Sequence, residues 1–399
     1  MSGIRQSFCF CREKTYKAGK ADGDCWIAPP PGSFLSTTHN RSTKKIYTQG
    51  SKFFDTVAYG SMSGSWEWTF VADYEYFEPF MLAFDETSFT AVKDKDGKTI
   101  AGEYVFSKKN NKRVPSFCIR RKVLNGITGG SHGLDEESIL YGCVVKSIRF
   151  SRSAADSPLN VTMSGFYADE QTALKNLINT DYQEYTGSLV EFSCMFIGEV
   201  SNENYVANTE SLTIGIENGA SAVYSVCSPF ASSYAENQTS VSFGTTAYSN
   251  DPMRYKMRVY GGGETATPTN DVYRPRSKGM TPIPLVNIVA YNGMAEGDAS
   301  NIATIYEGST RRMKMSLDKV VIKSMTWQKG DGNKLQDQIN STEVRNLTLS
   351  IRSGQALSID DLWKDKNIHH IADSKSTDDS GDASEGTSED TTGGESEKT

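Results

Sequence analysis

Residues 159–167 read Leu-Asn-Val-Thr-Met-Ser-Gly-Phe-Tyr, an alternation that acquires two distinct faces only as a β-strand. Val161, Met163 and Tyr167 fall on one side, and Thr162, Ser164 and Phe166 on the other. Upstream lie residues 115–120 (Pro-Ser-Phe-Cys-Ile-Arg) and residues 141–150 (Tyr-Gly-Cys-Val-Val-Lys-Ser-Ile-Arg-Phe), rich in β-branched and aromatic side chains. The stretch 115–167 therefore predicts three strands. The last two are joined into a long hairpin through the polar residues 151–158, which close on Ser-Pro.

Elsewhere the signals are of the same kind. Apolar residues make up only 37% of the chain, yet Tyr (19) and Phe (18) are plentiful and Gly reaches 34, a mixture suited to many short strands and turns. The expectation is a mainly β protein. Trp66, Trp68 and Phe70 alternate with Glu67 and Thr69, as in a half-buried strand. In residues 74–84, Phe77, Phe80, Met81 and Phe84 recur at helical spacing behind Pro79, which predicts a short amphipathic helix packed on a sheet. These aromatics, Trp66 to Phe84, are the expected core. Residues 86–114 read as a loop around an Asp-Lys-Asp-Gly turn at 94–97. Residues 169–178 read as a second short helix, capped by Asp169 and burying Leu174, Leu177 and Ile178.

The second half repeats this order. Leu212, Ile214 and Ile216 alternate with polar residues, as do Val241 and Phe243. A connector at 249–259 and a Pro-led strand at 284–290 follow. A second long hairpin comes from 319–327 and 343–352, where Leu347, Leu349 and Ile351 alternate with Asn346, Thr348 and Ser350. The expected division is an extended N-terminal arm (1–50, with an isolated Trp26), a first β module (51–182), a second (183–356), a docking turn (357–373) and a disordered acidic tail (374–399).

Charge narrows the function. The net charge is −7, and from Asp373 onward nine acids face only Lys375 and Lys398, so residues 1–372 are neutral overall. A neutral body lacks the electrostatic footprint for gripping nucleic acid. The basic clusters at Lys108, Lys109, Lys112 and Arg113 and at Arg120, Arg121 and Lys122 read as solvated faces or rims. No stretch approaches the ~20 apolar residues of a membrane helix, and the chain is expected to be made in a cytoplasm. Cys9, Cys11 and Cys25 lack a fourth ligand at finger-like spacing, so no metal is predicted and the seven cysteines read as thiols. His132 stands in a Gly-Gly-Ser-His-Gly loop without a nucleophile elbow, and the glycines at 261–263 lack a phosphate-loop pattern. Neither an enzyme nor a cofactor is expected.

In pattern and order, the stretch 115–167 resembles the tail tube (major tail) proteins of long-tailed bacteriophages and archaeal tailed viruses. There a Pro-Ser-Phe segment is followed by a Tyr-Gly-Cys-Val-like strand, a turn, and a strand ending in a small residue and an aromatic. The likeness runs over residues 60–350. It implies a tail-tube-like β-sandwich or barrel module with a short flanking helix, and with the repeated order of elements the expectation is two such modules in tandem. Such subunits close rings through their sheet edges, and the rings stack into the hollow tail tube through which viral DNA is ejected. Three two-module chains would make a pseudo-six-fold ring, and a hexamer of single modules is the alternative. The implied partners are further copies and other tail proteins in a virion tail assembled in the host cytoplasm, with DNA passing the bore unbound. A neutral to acidic bore is expected, lined by Thr162, Ser164, Asn346 and Thr348. Competing classes are a monomeric carbohydrate-binding or adhesin β-sandwich, a β-rich hydrolase using His132, and a tail-terminator or baseplate ring that does not stack.

Overall fold

The structure is a computed structural model that describes residues 5–49, 52–108, 112–124, 136–154, 157–173, 195–199, 205–206, 209–226, 228–248, 282–291, 309–329 and 335–371. It is mainly β, built of large antiparallel sheets. In chain order the first elements are β1 (Arg5–Arg12), β2 (Trp26–Ile27), β3 (Phe34–Ile46), β4 (Thr56–Val71), α1 (Glu78–Ala83), β5 (Glu86–Lys93) and β6 (Thr99–Ser107). Then come β7 (Phe117–Leu124), β8 (Glu136–Arg152), β9 (Asn160–Tyr167), β10 (Asp169–Ala173), β11 (Met195–Glu199), β12 (Tyr205–Val206) and β13 (Thr209–Glu217). The remainder are β14 (Ala220–Tyr224), β15 (Ala231–Glu236), β16 (Ser240–Tyr248), β17 (Ile283–Tyr291), β18 (Arg312–Lys329), β19 (Leu335–Ser353) and β20 (His370–Ile371).

The two hairpins expected from alternation are present. β8 pairs with β9 (Ile148 opposite Met163, Phe150 opposite Val161), and β18 pairs with β19 along nearly their whole length. α1 stands where Pro79 starts it, and Phe77, Phe80, Met81 and Phe84 are all buried. The strand pair β8–β9 does more than close a hairpin. β8 is 17 residues long; its first half lies between β7 and β10, and its second half lies between β9 and β13. β19 is shared in the same way, β16 and β6 taking opposite ends of one side while β18 covers the other. The β8–β13 and β6–β19 pairings sew the N-terminal half of the chain to the C-terminal half. Both halves contribute to one hydrophobic core, from Trp66, Trp68 and Phe70 through Phe77, Phe80 and Phe84 to Leu347, Leu349 and Ile351.

Several expectations are overturned. Residues 5–46 are not an irregular arm: β1 pairs with β7 over its full length, and Cys9, Phe10, Cys11 and Trp26 are buried. Both faces of β1 are covered, which removes the alternation a half-buried strand would display. Residues 86–107 are the β5–β6 hairpin, with the predicted turn between them; Asp94 Oδ1 accepts from the N–H groups of Asp96 and Lys98. The helix expected from Asp169 is instead strand β10 as far as Ala173, because the protruding end of β8 offers it a partner and tertiary pairing overrides local propensity. Leu174, Leu177, Ile178, the connector 249–259, His132 and the acidic residues beyond 371 lie outside the described residues. The docking turn is a longer strap: Trp363 packs on Phe10, and buried His369 stacks on Tyr76 at 3.5 Å and meets Glu78 at 3.2 Å. The Tyr104 hydroxyl also holds the strap, accepting from the N–H of Leu357.

Candidate assembly surface

β3 and β4 form a ribbon that outruns the sheet. Leu35, Trp66, Trp68 and Phe70 anchor its base in the core, but no described residue between 38 and 63 is buried. Its strands have only one another to pair with over most of that length, apart from a bond from Met62 N–H to the Pro229 carbonyl. A two-stranded ribbon without a third layer is marginal in water.

The ribbon is fixed at its root and apolar at its end. At the root, Tyr167 lies over Gly64, where any β-carbon would meet the ring at 2.0 Å. The Tyr167 hydroxyl is 2.6 Å from His39 Nδ1, His39 Nε2 is 3.0 Å from Glu170, and Arg121 donates to both Glu170 and Thr37. Burial, reinforced by the neighbouring Glu170 charge, pushes the Tyr167 hydroxyl well above its ordinary pKa, so it stays protonated. At the far end Ile46, Tyr47, Phe53, Phe54 and Tyr59 are exposed, Phe53 by 82%. Arg41 lies over the Tyr59 ring and Lys45 over Phe54. Arg41, Lys44, Lys45 and Lys52 face only Asp55, making the ribbon cationic. Such a concentration of exposed large apolar side chains marks an interaction surface.

Three strands are also paired on one side only among the described residues. Among the described residues β3 pairs only with β4, β5 only with β6, and β10 only with β8, leaving three strand edges for another chain.

The four positions expected to line a bore are all half-buried but form two groups. Thr162 lies between Thr69 and Arg149, and Ser164 between Glu67 and Ser147, with the Ser147 and Ser164 hydroxyls 2.7 Å apart. The rows continue through Gly215 and Ser242 and through Glu217 and Ser240, giving β4, β9, β8, β13 and β16 one outer face rich in Ser, Thr and Gly and interrupted by a few charged side chains. A groove of about 330 Å³ runs over part of it. Asn346 instead pairs with Asp318, and Thr348 with Ser316 and Ser107. β8, β13 and β16 separate the two groups, a distance of about 19 Å at the usual strand spacing.

No three His, Cys, Asp or Glu side chains among the described residues gather at a metal-binding distance. Cys11 is pushed up to about 12 by burial and the nearby Asp24, and burial raises Cys118 and Cys143 further, so these thiols are poor nucleophiles. No described helix is long and apolar enough to cross a membrane. The ribbon leaves no clear mark in the sequence, because its polar strands and isolated aromatics resemble an ordinary loop. A scan of protein-family models and a search of curated proteins both return no match.

Proposed function

We propose that this chain is a structural virion protein whose copies form rings that stack into the hollow tail tube of a long-tailed virus. The observation that carries the reading is the β3–β4 ribbon, an anchored and cationic projection ending in exposed aromatics, beside strand edges left unpaired among the described residues. A solitary globule gains nothing from such a projection. A subunit that completes its sheets with neighbouring copies buries it. The two halves serve as two tube-like modules fused through shared strands, so a trimer supplies the pseudo-six-fold ring.

The bore is assigned to the Ser, Thr and Gly face that carries Thr162 and Ser164. Its charged groups, Glu67 and Glu217 against Lys146 and Arg149, balance, which leaves DNA phosphates without a net cationic lining to bind. Asn346 and Thr348 are left out of it because they sit across the sheet. The acidic residues 374–399 are assigned to the outside of the tube and not to its bore, so their removal leaves assembly intact.

Electron microscopy of the purified protein tests the reading. Stacked rings, retained on deletion of 374–399, are expected; discrete particles at every concentration would overturn it, and rings that never stack would move the chain to a terminator or baseplate role.

A further inference from the structure

A cleft of about 800 Å³ opens where the end of β6, the turn between β15 and β16, and β19 meet. At its floor Lys108 and Asp85 form a buried pair 3.4 Å apart, their side chains 9% and 1% exposed. Its walls bring Lys112, Arg113 and Arg345 together with Glu236. Four cations thus line the cleft against Asp85 and Glu236, which are already engaged, while Glu86 and Asp318 stand at its edge, 3.8 Å from Lys112 and 3.7 Å from Arg345. Asp85 is held by Lys108, and Glu236 accepts the Val114 N–H at 2.7 Å. The cations have capacity left. The Lys108 ammonium carries three donors and makes no hydrogen bond among the described residues. Lys112 and Arg345 are 57% and 64% exposed, with carboxylates no closer than 3.8 and 3.7 Å. Arg113 is braced over the Tyr234 ring and donates to the Tyr234 carbonyl, which holds its charge at the wall. The lining is charged and polar, which suits an extended acidic ligand better than an apolar one.

The chain supplies such a ligand. Residues 373–399 hold nine acids against two lysines and no aromatic or large aliphatic side chain, and they begin directly after β20. A segment of this length has a contour of roughly 90 Å. The body of the molecule, with a radius of gyration of about 21 Å for its length, is smaller than that reach. We propose that the cleft is the docking site of the chain's own acidic C-terminal segment, with its carboxylates paired to Lys112, Arg113 and Arg345 over the Lys108 floor. The proposal does not rest on ring assembly and applies to dispersed protein.

Zero-length carbodiimide cross-linking of the full chain at low concentration, read by mass spectrometry, tests it. Amide links from Lys112 to carboxylates in 373–399 are expected. Their yield should fall about fivefold in Arg345→Glu, which leaves the Lys112 amine in place but reverses an exposed charge of the cleft. A salt series should reduce the yield progressively, since the pairs are partly exposed. Thermal melting of the variant confirms that it folds. Links from 373–399 to lysines elsewhere with none to Lys112, or a Lys112 yield unmoved by Arg345→Glu, would overturn the proposal.

Discussion

Replacing Phe53 with Ser separates assembly from folding. Phe53 is 82% exposed near the end of the ribbon and belongs to no part of the core. An aromatic side chain presents about 200 Å², so most of that area faces water in the isolated chain. Covering half of it in a contact with a neighbouring copy is worth about 2 kcal/mol at ~25 cal/mol per Å². That corresponds to roughly a thirtyfold change in the dissociation constant. The same substitution should move folding stability by no more than about 0.5 kcal/mol, as for other surface changes. A concentration series followed by sedimentation and electron microscopy should show the onset of rings displaced by about that factor, while the thermal midpoint stays where it was. An onset that does not move would refute the role of the ribbon. A midpoint falling by many degrees would show that Phe53 supports the fold, and the argument from exposure would fail with it.

Three further outcomes follow from the core and its rim. Gly165→Ala would place a β-carbon 1.9 Å from the Val144 carbonyl oxygen and 2.6 Å from the Trp66 ring, forcing β8 and β9 apart; a loss of about 3 kcal/mol in chemical denaturation is expected. Tyr104→Phe removes the hydroxyl that accepts from Leu357 N–H and should cost about 1–3 kcal/mol, with the C-terminal strap exchanging its amide hydrogens faster. Burial alone would raise the Glu75 carboxyl, but bonds from Ser353, Arg311 and the Gly354 N–H outweigh it and hold the group below its ordinary 4.5. A depressed folded value means the stabilisation is present above 4.5 and is lost as pH falls through the folded value. Thermal melting against pH should therefore show an acid limb below about 4.5 that flattens in Glu75→Gln; an unchanged limb would exclude Glu75 as its source.

What could be read directly from the chain was whatever depends on near neighbours. Val161, Met163 and Tyr167 alternate because β9 has one face in the core, and Phe77, Phe80 and Phe84 share a stripe because α1 does. The two long hairpins join residues close in sequence, so their turns and patterns lie side by side. Strands defined by distant partners left no such mark. β1 reads as irregular until Cys11 is placed opposite Cys118, and with both faces covered it has no alternation to display. The residues from Asp169 to Ala173 form a strand only because β8 extends beyond β9. The ribbon illustrates the same limit from the outside. Phe53, Phe54 and Tyr59 look like core residues in a list of amino acids, and only the tertiary structure places them beyond any core of their own. Local periodicity is a property of the chain, whereas a strand's second neighbour, or the lack of one, is decided when distant segments meet.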